Sequence, residues 1–126
     1  MEIGNGVTSI GDAAFYQCGG LTSVTIPDSV TSIGEWAFYE CGNLTNVTIP
    51  NSVTNIRRYA FDSSKVSTMT ILGKPTIGRN ALQTTCHIST LNVPEFTIDE
   101  VQNSAVDWGL YVGCVANCKD GVLTLA

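Results

Sequence analysis

Asp28-Ser29-Val30-Thr31-Ser32-Ile33-Gly34-Glu35-Trp36-Ala37-Phe38-Tyr39-Glu40-Cys41-Gly42-Asn43-Leu44-Thr45-Asn46-Val47-Thr48-Ile49-Pro50 is the stretch that decides the fold, because it has copies on both sides. Val30-Thr31-Ser32-Ile33 is preceded by Val7-Thr8-Ser9-Ile10 and followed by Val53-Thr54-Asn55-Ile56, a spacing of 23 residues. Ala37-Phe38 has counterparts in Ala14-Phe15 and Ala60-Phe61, and Leu44, Val47 and Ile49-Pro50 have theirs in Leu21, Val24 and Ile26-Pro27. A fixed period of this length marks one supersecondary unit per copy, stacked so that each unit buries the apolar edge of the next.

The first copy runs from about Gly4 to Pro27 and the second from Asp28 to Pro50. The third, Asn51 to Leu72, has lost a residue near Ser64-Lys65, which sets Val66, Met69 and Ile71 on the Leu44, Val47 and Ile49 positions. In the fourth, a further deletion around Lys74-Pro75 leaves Ile77, Ala81, Leu82, Ile88, Leu91, Val93 and Pro94 on the pattern. Within Leu44–Ile49, alternation puts Val47 and Ile49 on one face and Thr48 on the other, as in a half-buried strand. The proline that follows cannot donate to a ladder and ends the strand. The Gly-x-x-Ala-Phe stretch lacks alternation and is expected to form a short turn or a single helical turn on the outer side.

Ile26-Pro27, Val30, Ile33, Ala37-Phe38, Cys41, Leu44, Val47 and Ile49-Pro50 together resemble the repeat of the BspA-like leucine-rich repeat family. The likeness covers about Met1 to Pro94; in the third copy Ser64 or its neighbour replaces the cysteine, and the fourth copy is degenerate. The resemblance implies a repeat solenoid, mainly β: a right-handed leucine-rich-repeat coil of short parallel strands. It further implies a bacterial, protozoan or phage-borne origin, frequent surface display and adhesion, and it supplies no catalytic residues.

The chain divides into repeats over 1–94, about four copies, and a C-terminal cap over 95–126. In the cap, Thr97 to Val106 is expected to be a short amphipathic helix. Trp108-Gly109-Leu110-Tyr111-Val112 and Val122-Leu123-Thr124-Leu125 read as strands, with Lys119-Asp120-Gly121 a hairpin turn. At the other end, Met1-Glu2-Ile3 takes the register of Val24-Thr25-Ile26, so the copy starts halfway through and the first coil keeps an open strand edge. Such an edge invites pairing. Two readings stand: a slice of a longer array, or a short protein that forms a homodimer through this uncapped N-terminal edge.

Charged residues make up 13% of the chain and apolar ones 44%, so the polar surface is built mostly of Ser, Thr, Asn and Gly. A net charge of −5 argues against nucleic acid or an anionic membrane as partner. No stretch approaches the roughly 18 apolar residues of a membrane span. No basic and then apolar leader opens the sequence, which places the chain in the cytoplasm if complete and at the cell surface if it belongs to a longer array.

Chemistry has little to stand on. Cys18 and Cys41 share one repeat position and stack at about 4.8 Å, compatible with a disulfide or with a ladder of small buried thiols. Cys86, His87, Cys114 and Cys118 lack the paired C-x-x-C spacing of a zinc site, and Cys114 and Cys118 read as free thiols or a disulfide. Asp12 and Glu35 stack by register, but an open convex turn does not enclose them as an acid/base pair needs. No catalytic site, metal or cofactor is expected.

Two surfaces remain for binding. The strands' outward face aligns Thr22/Thr45/Ser67/Ser89, Ser23/Asn46/Thr68/Thr90 and Thr25/Thr48/Thr70/Asn92, a flat hydroxyl-rich sheet. Solvated strand positions favour Thr and Ser in any case. The outer turn aligns Ala13/Trp36/Tyr59/Asn80, Asp12/Glu35/Arg58/Arg79 and Tyr16/Tyr39/Asp62/Gln83. Trp36, Tyr39, Arg57, Arg58, Tyr59 and Arg79 form the candidate partner-binding cluster, since Trp, Tyr and Arg dominate interface hot spots. The reading is a non-catalytic protein-binding or adhesive module, with a surface glycan as the other ligand class. A small acidic inhibitor of a host protein, carried by a phage or mobile element, is the alternative.

Overall fold

The computed structural model describes residues 3–82, 90–109, 115–119 and 122–125. In order, the elements are β1 (Ser9–Ile10), β2 (Ser23–Thr25), β3 (Ser32–Ile33), β4 (Asn46–Ile49), β5 (Asn55–Ile56), β6 (Thr68–Ile71), β7 (Thr76–Ile77), β8 (Thr90–Asn92), α1 (Ile98–Trp108), β9 (Val115–Lys119) and β10 (Val122–Leu125). The chain winds into a mainly β solenoid whose successive coils lie in parallel register. Strands β2, β4, β6 and β8 line one wall in parallel, continued antiparallel by β10 and then β9. The two-residue strands β1, β3, β5 and β7 form a second parallel wall.

Register follows the repeat, deletions included: Val47 pairs with Met69 and Met69 with Leu91, while Ile33 pairs with Ile56 and Ile56 with Ile77. Alternation decides burial. In β4, Val47 and Ile49 are buried, whereas Asn46 and Thr48 face outward. Inside the coils, Phe15, Phe38 and Phe61 stack with ring centroids 5.1 and 5.0 Å apart and planes within 8°. The second wall follows from the same pattern: Val30 and Ile33, and Val53 and Ile56, are all buried, whereas in the first coil Ile10 is buried and Val7 exposed.

The third side of each coil is the outer turn, which is not a helical turn. Its backbone donors alternate in direction. Ala14, Tyr16 and Cys18 donate back within the turn to Gly11, Ala13 and Phe15, whereas Ala13, Phe15 and Gln17 donate across to Glu35, Ala37 and Tyr39 of the next coil. Later coils repeat the scheme, with Phe38 donating to Ala60 and Phe61 to Ala81. This alternation requires left-handed backbone at Ala13, Gln17, Trp36, Glu40, Tyr59, Ser63 and Asn80, a region unusual for bulky residues. Polar side chains add further ties between coils, such as Ser52 Oγ to the Val30 carbonyl at 2.7 Å.

The C-terminal segment closes the fourth coil on two sides. In the outer turn, Asn80 and Leu82 donate to the carbonyls of Asp107 and Trp108 at 2.6 and 2.9 Å, so the end of α1 replaces a fifth coil. On the main wall, β10 pairs with β8. A capping box starts α1: Thr97 N–H donates to Glu100 Oε1 at 2.9 Å and Glu100 N–H to Thr97 Oγ1 at 3.1 Å. Lys74 pairs with Glu100 and lies 5.7 Å from the centroid of the Phe96 ring, which stands nearly perpendicular to Trp108 with ring centroids 5.4 Å apart.

The expected strand at Trp108–Val112 is corrected at its start: Trp108 is the last residue of α1, buried against Phe96, with its carbonyl committed to Leu82. Leu110-Tyr111-Val112 and the Asp120-Gly121 turn lie outside the described residues, but β9 and β10 do form an antiparallel pair. At the other end, Ile3 N–H donates to the Thr25 carbonyl at 3.2 Å, in the expected register.

Three outcomes test this architecture. Phe38→Ala should cost about 3–5 kcal/mol in urea unfolding, because Phe38 is fully buried between two rings; half-buried Phe15→Ala should cost less. A Cβ at Gly34 would sit 2.6 Å from backbone atoms of Gly11 and Asp12, so Gly34→Ala should cost about 1–3 kcal/mol. Gly42→Ala, with open space around it, should change stability by no more than about 0.5 kcal/mol. Finally, the Lys74 ammonium first, and then the Thr97 amide, hold the Glu100 carboxyl below its usual range. Its stabilising contribution is present above the unfolded value of about 4.3 and is lost as pH falls through the lower folded value. An NMR titration of Lys74→Gln should therefore show the Glu100 midpoint moving up.

Candidate functional site

The outer ridge is rigid because neighbouring coils are tied through its backbone, and residues at one repeat position therefore form columns. Trp36 stacks on Tyr59 with centroids 5.6 Å apart and planes 14° from parallel. Trp36 is 41% exposed and holds φ 54°. Tyr39 does not join this pair; it stacks on Tyr16 of the coil before, at 4.9 Å and 18°. The two stacks are offset by one coil. The first ends at Ala13 on one side and Asn80 on the other, and the second runs into Asp62.

The charged column lies one residue before the Trp36 column. Asp12 Oδ1 accepts the backbone N–H of Glu35 at 2.8 Å, which places the two acidic residues on adjacent coils without pairing their carboxyls. The Glu35 carboxylate instead accepts from Arg58 Nε at 2.8 Å. Arg79 continues the column as a second exposed guanidinium, and Arg57 is exposed one residue before Arg58. The column therefore reads acid, acid, base, base along the coils.

Of the six residues singled out by type, Trp36 and Tyr59 touch each other, Arg58 is bound to Glu35, and Tyr39 belongs to a separate stack. Arg57 and Arg79 stand exposed beside them. The stack on Tyr39 makes Tyr16, 44% exposed, part of the same surface; its register with Tyr39 is the signal that carries it. Next to it, Gln17 Nε2 donates to Glu40 Oε2 at 2.8 Å. The Glu40 charge, and then burial, push the Tyr39 hydroxyl's pKa up, and burial raises that of the Asp62 carboxyl against the opposing Ser63 bonds. Neither shift builds a proton-transfer pair, since both groups lie on an open turn.

The flat sheet has the register read from sequence: Ser23, Asn46, Thr68 and Thr90 in one row, Thr25, Thr48, Thr70 and Asn92 in another. Part of its hydroxyl chemistry is internal, with Asn92 Nδ2 donating to Thr70 Oγ1 at 3.0 Å. Ser89 lies outside the described residues, as do Gln83, Cys86, His87 and Cys114. Among the described residues no group of three or more His, Cys, Asp or Glu could hold a metal ion.

Cys18 and Cys41 are free thiols. Cys41 is buried, its Sγ donates to the Phe15 carbonyl at 3.1 Å, and burial raises its pKa, which suits a packed thiol. In the third coil Ser64 fills the same space, fully buried, with its hydroxyl donating to the Phe61 carbonyl at 2.7 Å. No described helix is long and apolar enough to cross a membrane.

No curated protein and no solved structure matches the chain. The family model for the BspA type leucine-rich repeat region, with 6 copies, matches residues 1–108, from the first strand register through the end of α1. With the coils in register and most of the chain under that match, this protein belongs to the BspA-type leucine-rich repeat family.

Proposed function

We propose that this chain is a non-catalytic protein-binding or adhesive repeat module, and that it meets its partner with the outer ridge of Trp36, Tyr39, Arg57, Arg58, Tyr59 and Arg79. The observation that carries this reading is the Trp36–Tyr59 stack: an exposed indole, fixed against a second ring on backbone tied to both neighbouring coils. Large aromatic area held in one conformation binds without a large ordering cost. Flanking charges of both signs suit a protein surface better than a polyanion. Membership of a repeat family whose fold is typically non-catalytic agrees with this.

Immobilised full-length protein is used to capture partners from cell lysate, beside a Trp36→Ala/Arg58→Ala/Tyr59→Ala variant of matched thermal stability. The expected outcome is a discrete protein retained by the first and lost by the second, by at least about tenfold. Equal retention would move the site to the hydroxyl-rich sheet or the cap. Retention of glycans alone, on a parallel array, would replace protein with carbohydrate as the ligand class.

A further inference from the structure

The charged column of the ridge has a symmetry that the fold itself does not need. Like charges stand on adjacent coils at both ends, Asp12 beside Glu35 and Arg58 beside Arg79, an arrangement that disfavours the isolated chain. An alternating order would have allowed a salt bridge at every step. The order acid, acid, base, base instead changes sign about the midpoint between the second and third coils. A two-fold axis through that midpoint, lying in the contact plane and perpendicular to the stacking direction of the coils, sets the first coil of one copy against the fourth coil of another. Each acidic residue then faces a basic one: Asp12 meets Arg79, and Glu35 meets Arg58.

The same operation accounts for Arg57. The position before the charged column holds Gly11, Gly34 and Gly78 in the other coils, and at Gly34 and Gly78 a Cβ would meet backbone of the neighbouring coil within 2.6 Å. Only the third coil carries a side chain there, and it is a long exposed cation. Rotation about the axis exchanges the second and third coils and keeps each residue on its own side of the column. Arg57 of one copy is thereby set over Gly34 of the other, where no side chain stands in its way, and the exposed indole of Trp36 is set against Tyr59.

We infer that the outer ridge is self-complementary and that its partner is a second copy of this chain, paired antiparallel about a two-fold axis between coils two and three. This rests on the reading of the ridge as the recognition surface. The open end of the first coil suits self-pairing less well. There the outer turn presents the carbonyls of Asp12, Ala14 and Tyr16, which have no backbone partner among the described residues, and two such ends face to face would oppose acceptor to acceptor. A hollow of about 440 Å³ lined by Phe15, Cys18, Gly20 and Leu21 lies at that end, outside the ridge pairing. Four coils at about 4.8 Å spacing make a short contact, so the dimer is transient and needs concentrated protein.

Sedimentation equilibrium of the full chain, up to about 1 mM protein in about 0.15 M salt, tests this, because distant charges are then screened and contacting ones are not. The wild type should show a reversible monomer–dimer equilibrium. Asp12→Lys and Arg79→Asp should each weaken self-association by at least about tenfold, since a two-fold contact doubles every change. An equimolar mixture of the two variants should recover a heterodimer within about threefold of the wild-type affinity, because both outer rungs are then complementary again. Thermal melting confirms that each variant is folded. If Asp12→Lys fails to fold, Arg79→Glu must abolish dimerisation while Arg79→Lys preserves it. A monomeric wild type overturns the inference, as does a dimer indifferent to these charges, which would place the contact at the open end. Either result leaves the capture experiment with a foreign protein unaffected, so the two readings fail separately.

Discussion

The backbone hydrogen bond between coils is the interaction on which the rest of this structure depends. In the outer turn it alternates with bonds inside the turn, so that donors at Ala13, Phe15 and Gln17 reach the next coil while those between them do not. Parallel strands hold the other two sides at the same spacing. Once that spacing is set, residues one repeat apart become neighbours whatever their type, and like stacks on like. The phenylalanines form one column in the interior, the Trp36–Tyr59 and Tyr16–Tyr39 pairs form columns outside, and Gly34 must remain small because backbone lies directly beyond it.

The direction of that bond makes the two ends of the solenoid chemically different. Each outer turn gives its crossing donors toward the C-terminal side, so the last coil is left with N–H groups to satisfy. The free carbonyls at the end of α1 meet this need, since the last carbonyls of a helix have no partner within it. The capping box and the Lys74–Glu100 pair hold the helix at its other end, so that its carbonyls arrive in place. The first coil shows the opposite polarity, with carbonyls outward.

Rigidity sets the ridge apart from an ordinary surface loop. The residues that carry its rings and charges sit in or beside left-handed positions, which cost about 1–3 kcal/mol each and persist only where the surroundings over-determine them. Here the surroundings are the hydrogen bonds on both sides. A surface built this way keeps its aromatic planes and its charge order fixed.

The repeat made much of this legible from sequence. Period, strand register, the effect of the deletions at Ser64-Lys65 and Lys74-Pro75, the buried side of each strand and the membership of the columns all follow from apolar spacing, because stacking converts sequence period directly into contact. The Thr-Ile-Asp-Glu start of α1 is also a readable cap, although alternation further on made Trp108 look like a strand residue. What only the tertiary structure decided are the contacts that period alone leaves open. Tyr39 could have met Trp36 or Tyr16, and Glu35 could have met Asp12 or Arg58; left-handed turn geometry and side-chain reach chose Tyr16 and Arg58. The helix end that replaces a fifth coil was equally hidden, because its fit depends on carbonyl direction, and backbone direction is shared by every sequence that can form a helix.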